Sequence, residues 1–122
     1  MKIKHYQQLD VWKKSIDLIV KCYSETQKFP SNEIYGLTSQ IRRAAISIAA
    51  NIAEGQSRWS TKDFLRHLSI SHGSLSELET HFIIAQRLEY IDESILEELL
   101  SQTAEIGRMI NGLKSSLSKK LK

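Results

Sequence analysis

The stretch from Leu37 to Gly55, LTSQIRRAAISIAANIAEG, constrains the fold more than any other part of the chain. Between Ala44 and Ala53 eight of the ten residues are apolar, and the other two are Ser47 and Asn51. A helix of that composition is greasy on almost every side and must bury more than one face. In a four-helix protein of this size each helix buries one stripe against its own neighbours. The second face is therefore expected to meet another copy of the protein, through Ile46, Ala49, Ala50 and Ala53, with Asn51 among them. Ser47 and Asn51 are four residues apart and so lie one turn above each other. Buried polar side chains need partners, and a hydrogen bond across an interface is the expected one.

At 122 residues the chain is long enough for one domain with its own core and too short for two. Aromatic residues make up 7%, charged residues 25%, and there is one proline, a balance that suits helices better than a β-sandwich. The expectation is a single all-α domain. The net charge of +3 permits contact with nucleic acid or acidic partners without requiring it. The excess lies in the first half: residues 1–30 carry six lysines against three acids, whereas residues 92–122 carry five charges of each sign. Cys22 is the single cysteine, so no intrachain disulfide can form and a reducing compartment is the natural reading. No N-terminal run resembles a signal peptide, and the apolar run at Ala44 to Ala53 falls far short of the roughly 20 residues that span a bilayer. A cytoplasmic protein without a membrane partner is expected.

Taken in order, residues 1–8 show no period and read as an N-terminal arm. Four helices are then expected, over about 9–28, 32–54, 60–88 and 93–118. The first has Trp12, Ile16, Ile19, Val20 and Tyr23 on one face and lysines opposite, with Trp12 a core anchor and Cys22 a half-buried inert thiol beside the stripe. Pro30 ends it, and Ser31 or Asn32 can cap the second. The second carries Leu37, Ile41, Ala44, Ala45, Ile48 and Ile52 on its core stripe, and Gly55 supplies a left-handed residue at its end. Ser60-Thr61-Lys62-Asp63 is a capping box for the third helix, whose face is Phe64, Leu68, Leu75, Leu78, Phe82 and Ala85. Gly73 inside it marks a place where a neighbouring backbone comes close. Either Asp92 or Ser94 caps the fourth, which keeps a step of about 3.5 from Ile95 through Leu99, Thr103, Ile106, Ile110 and Leu113 to Leu117. Its late lysines, Lys114, Lys119, Lys120 and Lys122, complement the helix dipole. Short connections force neighbours to run antiparallel, giving an up-down-up-down four-helix bundle.

The residues Leu9 with Val11-Trp12, Phe29-Pro30, Tyr35 to Ala44 (YGLTSQIRRA), Ser47 to Gly55 (SIAANIAEG) and Gly73 to Thr80 (GSLSELET) resemble the bacterial family of four-helix-bundle proteins first named for intervening sequences of 23S rRNA genes. The likeness covers about residues 6–117, and SIAANIAEG with the upstream QIRRA is its most specific part. Ala49 stands where the family usually has proline. The resemblance implies a bundle assembled into a ring-like homopentamer, of a family with no established enzymatic activity, and no cofactor is expected. The family is also similar to the accessory protein of diversity-generating retroelements, a basic pentamer that assists a reverse transcriptase. That similarity implies RNA or DNA and a nucleic-acid enzyme as partners.

The sharpest candidate site is the basic group Arg42, Arg43, Arg58, Lys62 and Arg66, with Trp59 in the same loop as Arg58. Arginine forks and an aromatic plane are the groups that phosphate contact and base stacking use. With the second and third helices antiparallel, Arg58, Lys62 and Arg66 gather near one end of the bundle, and Arg42 and Arg43 lie some three turns away. A solvated surface, or ion pairs with Glu54 and Asp63, would explain the same residues. A di-iron centre in a bundle core needs Glu-x-x-His on two helices, and the residues three before His5, His67, His72 and His81 are Lys2, Phe64, Ser69 and Leu78. No metal-ligand spacing, Gly-rich phosphate loop or nucleophile elbow is present either, so no catalytic, metal or cofactor residue is assigned. The leading expectation is a non-catalytic homo-oligomeric accessory protein that binds RNA or DNA in a ribonucleoprotein. The alternative is an oligomeric protein-interaction scaffold with no nucleic-acid role.

Overall fold

Helices account for nearly all of the computed structural model, which describes residues 5–121. Among them lie one short helix, α1 (His5–Gln8), and four longer ones, α2 (Asp10–Thr26), α3 (Leu37–Gln56), α4 (Thr61–Arg87) and α5 (Glu93–Lys119), with no strand. Of the N-terminal arm expected over residues 1–8, the first four residues lie outside the described ones, and the rest form α1.

Local chemistry explains most of the boundaries. Ser60 Oγ accepts the Asp63 N–H at 3.0 Å, the capping bond expected at the head of α4. Asp92 caps α5 by accepting the Ile95 N–H at 2.8 Å, which decides between it and Ser94. The start of α3 departs from expectation. Ser31 and Asn32 do not cap it; Ser31–Glu33 is a 3-10 turn, and the helix begins five residues later than expected, at Leu37. The cap is supplied by Glu33, whose Oε1 accepts the Leu37 N–H at 3.1 Å, while Oε2 accepts the Tyr90 hydroxyl at 2.8 Å. These bonds hold the Glu33 carboxyl below the ordinary carboxylate range and push the Tyr90 phenol up. They also tie the α2–α3 connection to the α4–α5 turn. At the other end α3 continues through Gly55 to Gln56, and no glycine has a positive φ, so Gly55 is not a left-handed cap. α3 also runs unbroken through Ala49.

The core is lined by Leu18 from α2, Ile41, Ile48 and Ile52 from α3, Leu68, Leu78 and Phe82 from α4, and Leu99, Ile106 and Ile110 from α5, all fully buried. The expected stripes of α4 and α5 lie on it, with Phe64, Ile95 and Leu113 half-buried at its edge. For α2 the expected face is wrong. Val11, Ser15, Leu18 and Cys22 point inward, whereas Val20 and Tyr23 are exposed and Trp12, Ile16 and Ile19 are half-buried. Ser15 can sit inside because its hydroxyl donates to the Val11 carbonyl at 2.7 Å, and Thr26 does the same to Cys22 at 2.7 Å. Cys22 is fully buried, not half-buried, and burial pushes its thiol up to about 12.

Contacts between helices descend in register. Along α3 and α4, Ser47 meets Ser74 and Asn51 meets His67. Between α4 and α5, Glu79 accepts the Thr103 hydroxyl at 2.7 Å. Across α2 and α5, Lys14 pairs with Glu105 and Lys21 with Glu98, at 3.4 and 3.3 Å. The closest approach is between α3 and α4. A Cβ on Gly55 would lie 2.6 Å from the His67 Cβ, so the two backbones touch where only glycine fits. Gly73, by contrast, is exposed and faces open space, so no neighbouring backbone approaches it.

Candidate nucleic-acid interface

The α3–α4 connection is a tight turn whose geometry follows from its own side chains. Ser57 donates back to the Ala53 carbonyl at 2.9 Å, the Arg58 N–H bonds the Gly55 carbonyl at 3.1 Å, and Ser60 starts the next helix. Trp59 sits at the tip with its side chain fully exposed. A large aromatic left wholly in water gains nothing from the fold, which is the opposite of how this chain treats Phe82 or Trp12. Lys62 and Arg66 follow on the exposed side of the first turns of α4. The Arg58 guanidinium pairs with Glu54 at 2.8 Å, one of the two ion pairs expected, on a surface where both side chains are about half exposed.

The other two basic residues lie elsewhere. Arg42 sits near the opposite end of α3, where its Nε donates to the Thr26 hydroxyl at 2.9 Å and its guanidinium stacks 4.4 Å from the Tyr23 ring. Arg42 is thus used within the chain. Arg43 is exposed but lies thirteen residues before the end of α3, about 20 Å at about 1.5 Å per residue from the turn that carries Trp59. The structure therefore groups Arg58, Trp59, Lys62 and Arg66 and separates Arg42 and Arg43 from them.

Beneath this group runs a polar ladder between α3 and α4. Asn51 Nδ2 donates to the Ser47 carbonyl at 2.9 Å, which turns Oδ1 toward His67 Nδ1, 3.0 Å away. An amide oxygen only accepts, so His67 Nδ1 donates to it, and Nε2 faces Arg66 Nη2 at 3.3 Å. Ser47 Oγ meets Ser74 Oγ at 2.8 Å, and Ser71 donates to the Ile48 carbonyl at 2.9 Å. Asn51 and Ser47 thus find partners across the α3–α4 interface of one chain, so the hydrogen bond expected across an interface is made within the chain. Sequence reading missed His67 as the partner, although the signal was there: Asn51 and His67 are equidistant from Trp59, the centre of the turn.

Of the residues assigned to a contact between copies, Ala49 is buried within the single chain and does not reach the outer face. Ile46 is 43% exposed, Ala50 is exposed and Ala53 is partly so, which leaves an apolar strip along the outside of α3. Among the described residues no helix is long and apolar enough to cross a membrane, and no group of three or more His, Cys, Asp or Glu side chains could hold a metal ion.

The family model for the 23S rRNA-intervening sequence protein matches residues 7–112. The chain belongs to that family. The match takes in all of α2, α3 and α4 and most of α5, so the α3–α4 turn is part of the family domain. A solved structure similar to this chain is that of a Bacteroides thetaiotaomicron VPI-5482 protein of unknown function from the S23 ribosomal protein family. It is 25% identical, with a TM-score of 0.79, over 86% of this chain and 95% of that one. No curated protein matches the sequence.

Proposed function

We propose that α2 to α5 form an up-down-up-down antiparallel four-helix bundle that assembles into a homo-oligomer, a pentamer on the family resemblance, and acts as a non-catalytic accessory that binds RNA or DNA. The observation that carries the nucleic-acid part is Trp59, fully exposed at the tip of a tight turn between Arg58 and Lys62. An aromatic plane among cations suits a base and its phosphate better than it suits water. The assembly rests on the outer strip of α3, where Ile46 and Ala50 are exposed and the neighbouring α2 leaves Val20 in solvent. The falling register of the interhelical contacts supports the antiparallel order. A nucleic-acid enzyme, such as a reverse transcriptase, and a ribonucleoprotein setting follow from the retroelement resemblance.

One observation favours the rival reading of a scaffold without nucleic acid. Arg42 and Arg58 are both engaged within the chain, on Tyr23 and Glu54, which reduces the free cation count. Fluorescence anisotropy with labelled RNA and DNA separates the two readings. A binder shows affinity at low salt that falls steeply as salt rises, because each phosphate contact releases counterions. Charge reversal at Arg58, Lys62 and Arg66 should weaken that binding; flat anisotropy at low salt would support the scaffold.

A further inference from the structure

The balanced charge of the C-terminal third conceals a strong polarity in space. Around the α4–α5 turn, residues 87–98 carry five acids, Glu89, Asp92, Glu93, Glu97 and Glu98, against Arg87. Residues 114–122 carry Lys114, Lys119, Lys120 and Lys122 and no acid. α5 spans the whole distance between them. Along it, Thr103 bonds Glu79 and Gly107 packs on Leu75, so four residues forward on α5 are four residues back on α4. Continued to its end, that register sets Lys120 level with Lys62. Lys119 and Lys120 are exposed, as are Arg58, Trp59, Lys62 and Arg66. The acidic turn lies at the far end of the same two helices, beside the Glu33–Tyr90 bond.

We infer that single-stranded nucleic acid is held end-on at the Trp59 pole, with one unpaired base stacked on Trp59 and its flanking phosphates between the α3–α4 turn and the lysines at the end of α5. This rests on the nucleic-acid reading and deepens it. The indole face is free on both sides only at the tip of the turn, and stacking on it requires a base that is not paired. Lys62 and Arg66 flank it on α4, and Lys119 and Lys120 bring cations from a separate helix, so the phosphates on one strand meet charge from two directions. The lysines that complement the α5 dipole therefore have a second use. The acids of the α4–α5 turn make the far end the poorer place for phosphate, although Arg87 and Lys21 offset part of their charge. Arg42 and Arg43 fall outside the site, Arg42 because Tyr23 and Thr26 already hold it.

The test is anisotropy of labelled 20-nucleotide single-stranded RNA, single-stranded DNA and the corresponding duplexes, at several salt concentrations. Trp59→Ala should weaken single-strand binding about fivefold or more, the low end for one lost stacked base, while Trp59→Phe keeps most of it. Lys119→Gln with Lys120→Gln should make the logarithmic salt slope shallower by about one to two, and Arg43→Gln should leave affinity within twofold. Binding that prefers duplex, or that ignores Trp59→Ala and the double lysine change, overturns this site and leaves the nucleic-acid reading standing. An absence of binding to every oligonucleotide at low salt overturns both. All the substituted side chains are exposed, so circular dichroism of each variant should match the parent and exclude unfolding as the cause.

Discussion

Two glycines in adjoining helices should respond to the same substitution with opposite signs. At Gly55 an added Cβ would stand 2.6 Å from the His67 Cβ, 3.0 Å from a Phe64 ring carbon and 3.3 Å from the Phe64 carbonyl oxygen. Both Cβ atoms are fixed to their backbones, so no rotamer change relieves the clash; α3 and α4 must move apart. Overpacking of this kind costs about 1–3 kcal/mol, and a contact between two fixed atoms belongs near the top of that range. Alanine returns about 1 kcal/mol in helix propensity, so Gly55→Ala should destabilise by about 2 kcal/mol. Gly73 meets nothing within 4 Å, and Gly73→Ala should stabilise by about 1 kcal/mol. At about 4 °C per kcal/mol for a chain of this length, the melting temperatures of the two variants should differ by about 12 °C. The assay is thermal unfolding by circular dichroism at one protein concentration, since assembly makes the midpoint concentration-dependent. If Gly55→Ala is as stable as Gly73→Ala, the close approach of α3 and α4 is wrong, and with it the reason for glycine at position 55.

The Glu33 cap predicts a pH dependence. Its carboxyl is held low by the Leu37 N–H and the Tyr90 hydroxyl, so its contribution is complete above the ordinary carboxylate range and is lost as the pH falls through the folded value. In urea titrations, Glu33→Gln should be less stable than the parent at neutral pH, with the gap closing in acid; a gap constant with pH would contradict this. Cys22, buried and with its thiol pushed up to about 12, should resist a thiol-specific reagent at pH 8 in the native protein and react fully in denaturant. Rapid native labelling would show that α2 opens or packs differently.

Features decided within a few residues were legible in the sequence. Ser60 and Asp63 form their capping bond three residues apart, and the α5 seam from Leu99 to Ile110 repeats along one helix. What failed depends on where a neighbour sits. α2 is apolar on two overlapping flanks, Val11, Leu18 and Cys22 on one and Trp12, Ile16 and Ile19 on the other, and periodicity alone does not say which flank the core selects. Ser15 and Thr26 disguised the true face as polar, since each hides its hydroxyl on a carbonyl of its own helix. The same holds for glycine: Gly55 and Gly73 look alike in sequence, and only the path of the adjacent helix separates a close approach from open space. The division of the basic group, by contrast, follows from spacing along antiparallel helices; only the internal partners of its members needed the fold. Arg42 lies on α3, where Tyr23 reaches it, and Arg58 lies just past its end, where the turn displays it.

The exposed strip of Ile46 and Ala50 on a helix already buried on its other side is the feature that most needs a partner. Light scattering coupled to size exclusion at micromolar concentration measures that directly. Assembly into a pentamer predicts a particle of about 70 kDa, five copies of a 14.0 kDa chain, which Ile46→Glu should break down. A parent protein that elutes as a 14.0 kDa monomer would contradict the central claim that sister subunits cover α3.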